Sequence, residues 1–220
     1  MGIIQVVLLI VFGALSLLNL VAVGLKMRKV QYLSTPLRVP VLAAVYILAS
    51  ASPSWLIIAA LALAFIGDLL WLWQKKEPVM MMMSGAYVLS FVLYAIALLQ
   101  PFSRLGGVPG WHYALALLYA AYYVLFYTLL KPHMGEMKVP MSIFFAIVMI
   151  MGFAALTRFW WQEGLAFWLP FVGSLSYIAS ETVHGFHMFK YHSESKYGEL
   201  FGDLLYISAH LLIVLGFMRI

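Results

Sequence analysis

Residues 61–73, LALAFIGDLLWLW, place Asp68 inside an apolar run long enough to enter a bilayer. Two other stretches repeat the pattern. FVGSLSYIASETVHGF (171–186) carries Glu181, and ELFGDLLYISAHLLIVLGF (199–217) opens with Asp203. A carboxylate near the membrane centre costs about 2.5–3.5 kcal/mol on insertion scales, so acids in such runs mark a polar site within a helix bundle. These runs decide both the fold class and the place where chemistry is expected.

The composition agrees. The chain of 220 residues is 65% hydrophobic and only 10% charged, and its mean hydropathy is +1.00. Water-soluble domains run nearer ~45–50% apolar and ~25% charged. In lipid the backbone must satisfy its own hydrogen bonds, which leaves helices or a closed barrel. The apolar runs are long and do not alternate, so a barrel is excluded. The expectation is an all-α, polytopic membrane helix bundle with eight transmembrane helices in a single domain over residues 1–220. The helices fall near 3–25, 37–51, 54–73, 79–100, 111–130, 138–157, 165–189 and 200–218. The second is expected to be short, because Pro36 and Pro40 are taken to precede and open it.

There is no cysteine, which removes disulfides, thiolate nucleophiles and Cys-ligated metals. The N-terminal stretch MGIIQVVLLIVFGALSLLNLVAVGL lacks a basic leader and a small-residue cleavage site, and is expected to be a retained first helix. The net charge of +5 does not imply nucleic acid, because the basic residues stand singly in short loops. Lys26, Arg28, Lys29, Arg38, Lys75, Lys76, Lys131, Lys138, Lys190 and Lys196 flank alternate connections. Only Arg104, Arg158 and Arg219 fall on the other side. By the positive-inside rule the larger set is cytosolic, which places both termini outside the cytosol, in a bacterial inner membrane. Asp68, Glu181 and Asp203 then lie at similar depth in the cytosolic leaflet.

The polar residues around the acids share helix faces. Ser174, Tyr177, Glu181 and His184 follow a three-or-four spacing, as do Asp203, Tyr206 and His210. Each has a plainer reading. Asp68 and Glu181 could belong to buried ion pairs, although almost no Lys or Arg is expected within the membrane. Asp203 could complement the dipole at the start of its helix. His184 and His187 lie near the interface, and His192 falls in a loop. His210 sits in mid-membrane, where an imidazole must find partners. Metal ligation by Asp68, Glu181, His184, Asp203 and His210 is conceivable, but no H-E-x-x-H or other known ligand spacing occurs, and no metal or cofactor is expected. No G-x-S-x-G or Walker loop is present.

Six segments, in order, resemble the YhhN-like lysoplasmalogenases. STPLRVPVLAA (34–44) resembles that family's K-P-L opening of the second helix, with Thr35 at the basic position. FIGDLL (65–70) resembles G-D-x-x-L, and GAYVLSFVLYAI (85–96) resembles G-A-F-x-x-x-H-x-x-Y, with Phe91 at the histidine. KVPMSIFFAIVMIMGFAAL (138–156) resembles the sixth helix. GSLSYIASETVHGF (173–186) resembles G-x-x-x-F-x-x-S-D, with Glu181 for the aspartate. YISAHLLIVLG (206–216) resembles the closing Y-x-x-x-Q/H-x-L-I. The resemblance implies a membrane hydrolase that cleaves the vinyl ether of a lysoplasmalogen, or a related ether lysolipid, to a fatty aldehyde and a glycerophospho-base. It implies catalytic roles for Asp68 and Glu181. Asp203, His210, His184, Tyr177 and Tyr206 are the candidate substrate-binding residues beside them. Two carboxyls, one protonated and one ionised, suit proton delivery to carbon and activation of water. A small lipid or solute transporter and a catalytically inactive lipid-binding homologue remain the alternatives. A transporter would favour an inverted repeat, of which GDLL at 67–70 and 202–205 is only a short echo. The sequence carries no signal for oligomeric state.

Overall fold

A computed structural model describes residues 2–73, 76–191 and 196–218. Lys75, His192, Arg219 and the side chain of Lys196, all used above, lie outside the described residues. The described chain is all-helical. Its α-helices are α1 (Ile3–Gly24), α2 (Arg28–Ala49), α3 (Trp55–Trp71), α4 (Glu77–Leu99), α5 (Ala116–Leu130), α6 (Lys138–Thr157), α7 (Leu165–Gly185) and α8 (Lys196–Phe217). A π-helical turn, Phe186–Tyr191, extends α7.

Among the described residues, six helical spans are long and apolar enough to cross a membrane: α1, α2, α4, α8, and the extended spans Gly110–His133 around α5 and Gly135–Trp160 around α6. The chain is an integral membrane protein. Helix α3 is apolar but shorter. Helix α7 is long enough, yet Ser174, Tyr177, Ser180, Glu181 and His184 lower its hydropathy. Three of these, Ser174, Tyr177 and Ser180, are fully buried, so the polar face of α7 turns inward.

The second helix departs from expectation. It is not a short segment after two prolines, because α2 runs from Arg28 with Pro36 and Pro40 inside it. The four-residue spacing puts both prolines on one face. Inside a bundle, neighbouring helices and side-chain hydroxyls can compensate the backbone groups that proline leaves unpaired. One consequence reaches the site: Arg38 lies in mid-helix, not in a loop.

The helices pack around a closed ring, α1–α2–α3–α4–α6–α7–α8 and back to α1, and α5 lies outside against α6. Of α5, only Phe126 and Leu130 are buried, while Leu117, Leu118, Val124 and Leu125 are exposed. That apolar outer face suits lipid, which imposes no penalty on it. Inside the ring, Leu42, Val45, Ile57, Leu61 and Leu98 form an apolar plug with Val148, Met151 and Ile213. The opposite end of the ring, where α3 and α7 finish and α8 begins, holds a cavity.

Candidate functional site

The cavity has a volume of about 680 Å³. Its polar lining is Asn19, Arg38, Asp68, Tyr87, Glu181 and Asp203. Its apolar lining is soft: Met80, Met83, Met141, Phe144, Phe145 and Phe189. Arg28 and Met188, which also line it, are exposed, so the cavity reaches the surface at the end of the ring.

Asp68 sits near the C-terminal end of α3 and is 1% exposed. Its Oδ1 accepts two hydrogen bonds, from the Tyr87 hydroxyl at 2.8 Å and the Tyr206 hydroxyl at 2.7 Å. Its Oδ2 has no partner among the described residues. The glycine before it explains how Tyr87 gets there. A Cβ on Gly67 would stand 2.5 Å from Cε1 of Tyr87, so the phenol can lie across α3 only because residue 67 has no side chain.

Asp203 is built differently. Its helix begins at Lys196, four residues earlier than expected, so Asp203 lies two turns in and beyond the reach of the N-terminal dipole. It pairs instead with Arg38, whose Nη1 is 2.9 Å from both carboxylate oxygens; the side chains are 2% and 15% exposed respectively. The expected scarcity of intramembrane cations is thereby corrected, since Arg38 is one. Asn19 of α1 donates to Asp203 Oδ2 at 2.8 Å, and its own Oδ1 accepts from Ser34 at 2.7 Å and Thr35 at 3.0 Å. Arg38 Nε donates to the Thr35 carbonyl at 3.3 Å. Helices α1, α2 and α8 are joined by this one network.

Glu181, one turn before the end of α7, is half-buried on the cavity wall. No hydrogen bond or ion pair holds its carboxyl among the described residues. His184 lies one turn on, with its ring against Gly202, where a Cβ would come within 2.6 Å of Nε2. Ser180 approaches His184 Nδ1 at 3.4 Å and donates to the Gly202 carbonyl at 2.8 Å. The echo of GDLL thus has a local meaning: each glycine admits a ring, Tyr87 or His184, beside its helix.

Asp68, Glu181, Asp203, His184 and Tyr206 share the cavity, while Tyr177 and His210 stand behind its wall. His210 is buried, with Nδ1 3.2 Å from the Tyr94 hydroxyl and Nε2 without a partner among the described residues. Its ring meets Tyr206 edge-on at 4.7 Å and Tyr177 at 5.0 Å. Phe91 packs edge-on against Tyr177 at 5.0 Å and Phe144 at 5.7 Å. These rings form an aromatic floor between the cavity and the apolar plug. Among the described residues no three His, Asp or Glu side chains gather as a metal site.

Arg38, Asn19 and Tyr87 were missed by the sequence reading. Asn19 had a signal, as a carboxamide deep in a first helix whose other polar residues are Gln5 and Ser16. Arg38 was hidden by the prolines that flank it. The YhhN family model matches residues 30–217 of the chain. No curated protein and no solved structure matches it.

Proposed function

The chain belongs to the YhhN family, and from that membership we propose an intramembrane hydrolase that cleaves the vinyl ether of a lysoplasmalogen or related ether lysolipid. The observation that carries this reading is the cavity itself, whose lining combines Asp68 and Glu181 with methionine and phenylalanine side chains. An amphiphile fits such a space, with its chain on the apolar side chains and its ether among the acids. The transporter alternative has no comparable support, because the echo of GDLL serves ring packing.

The two acids differ in surroundings, and the difference assigns their roles. Asp68 accepts two phenolic hydrogen bonds on one oxygen, which suits an ionised base. Among the described residues Glu181 has neither a hydrogen-bond donor nor a cation beside its carboxyl, which suits a carboxylic acid that carries its proton. In the first step Glu181 protonates the alkenyl carbon distal to the ether oxygen, leaving an oxocarbenium ion. Asp68 takes a proton from water as the water oxygen adds to the cationic carbon, giving a hemiacetal. Collapse transfers the proton of Asp68 to the departing glyceryl oxygen and returns the hydroxyl proton to Glu181. The products are an aldehyde and a glycerophospho-base, and both acids regain their starting states. Paired carboxylates divide the work similarly in glycoside hydrolysis.

With all eight helices crossing, the cavity opens on the side bearing Lys26, Arg28, Lys29, Lys76, Lys131, Lys138 and Lys190, which the positive-inside rule makes cytosolic. The test is aldehyde release from a lysoplasmalogen by purified protein in detergent. Release dependent on the protein supports the reading, and lipid binding without release favours the inactive homologue.

A further inference from the structure

We infer that Tyr87 and Tyr206 are positioning residues that clamp one oxygen of Asp68 and reserve the other for the reaction, an inference that rests on the hydrolase reading above. The geometry is unusual for a buried carboxylate. Both phenols converge on Oδ1, at 2.8 and 2.7 Å, and Oδ2 is left with no partner among the described residues. Most buried polar atoms in proteins are paired. Among the described residues eight side-chain atoms are not, and Asp68 Oδ2 is the one carboxylate oxygen of that set, which calls for an explanation. Two donors on one oxygen fix the rotation of the carboxyl plane, and fixing it leaves Oδ2 as the acceptor for a proton.

The clamp is built from three helices. Tyr87 comes from α4 and Tyr206 from α8, while Asp68 belongs to α3. The two phenol rings meet edge-on at 6.2 Å, so each limits the other's swing. Gly67 supplies the space for Tyr87, as the 2.5 Å clearance to an added Cβ requires. Tyr206 is held from behind by Tyr177, at 5.8 Å, and by His210, at 4.7 Å. That arrangement gives Tyr177 and His210 a purpose although neither lines the cavity. They are the backing of the clamp.

Tyr87→Phe and Tyr206→Phe remove the hydroxyls and keep the rings, so the packing over Gly67 and His210 survives. Each variant is expected to lower kcat about tenfold and the double variant about 10²-fold, the scale of a misaligned reacting group. KM should stay constant, because orientation of the base is needed in the transition state more than in the bound state. A second measurement does not depend on turnover. The infrared carboxylate stretch that vanishes in Asp68→Asn should shift in the double Tyr→Phe protein. A double variant with the wild-type kcat, a KM that rises while kcat holds, or an unmoved carboxylate band overturns the clamp. If Asp68→Asn itself keeps full turnover, Asp68 is not the base and the clamp falls with that role. If the wild-type protein releases no aldehyde, the hydrolase reading fails instead and the carboxylate band decides the clamp. An inactive Asp68→Asn beside a fully active double Tyr→Phe protein sinks the clamp alone.

Discussion

Arg38 and Asp203, 165 residues apart in sequence, form a buried ion pair at 2.9 Å across α2 and α8. The pair ties α2 to α8 beside the point where α1 and α8 close the ring of helices. Asn19 adds α1 to the same carboxylate.

Breaking this pair from one side leaves a buried charge without a partner. Arg38→Met or Asp203→Leu should therefore destabilise the protein by about 3–5 kcal/mol. The double variant Arg38→Met/Asp203→Leu should recover much of that loss, since replacing both charges by apolar groups is often close to neutral. Thermal unfolding in one detergent, across the two single variants and the double, checks the coupling. Additive losses would show that the two residues act apart.

Gly67 offers a more local test. A methyl group at 67 meets the Tyr87 ring at 2.5 Å, and overpacking of this kind costs about 1–3 kcal/mol. Gly67→Ala should lower the melting temperature and, by displacing Tyr87, reduce turnover. In a Tyr87→Ala background the same change at 67 should cost little further stability, because the ring it would strike is gone, while turnover stays low. Equal stability of Gly67→Ala and wild type would mean that the ring has room to move.

The class of fold was legible because the apolar runs are long and the acids within them few. Asp68 stood out because nothing polar surrounds it in LALAFIGDLLWLW. Its partners were invisible for a physical reason: Tyr87 and Tyr206 reach it from helices 19 and 138 residues away, and period alone does not reveal pairing between helices. Arg38 was misplaced by a sound local rule. Proline breaks helices in water, yet a bundle interior compensates its missing donor, so α2 continues through Pro36 and Pro40. Asp203 was assigned to a first turn because the apolar pattern fades at Tyr197 and Gly198, whereas the helix itself begins at Lys196.

Placing Arg38 inside α2 leaves the charge asymmetry of the loops intact. At the cavity end the connections carry Lys26, Arg28, Lys29, Lys76, Lys131, Lys138 and Lys190, against Arg104 and Arg158 at the other. If all eight helices cross, the positive-inside rule predicts both termini outside the cytosol and the 189–199 segment inside it. A C-terminal reporter should be active only on the outer side, and a reporter inserted after residue 192 only in the cytosol. Cytosolic activity of the C-terminal fusion would reverse the orientation and put the cavity mouth outside.

The most demanding expectation concerns the two acids. Asp68→Asn removes a base and Glu181→Gln removes a proton donor, and each should lower aldehyde release by at least about 10²-fold. Binding of lysolipid should hardly change, because the amides keep shape and most hydrogen bonding. The two variants should fail differently if their roles differ. Protonating carbon comes first, so Glu181→Gln should stop the reaction before water adds, with no hemiacetal formed. Asp68→Asn leaves the proton donor in place, and a small anionic nucleophile such as azide should trap the oxocarbenium ion, consuming the vinyl ether as an adduct without aldehyde release, because it needs no base to attack. Glu181→Asp is the discriminating change. It shortens the side chain by one methylene while keeping the acid, and it should retain far more activity than Glu181→Gln if the carboxyl is what matters at 181. An inert Glu181→Asp with an active Glu181→Gln would remove Glu181 from the chemistry and leave it as a wall of the cavity.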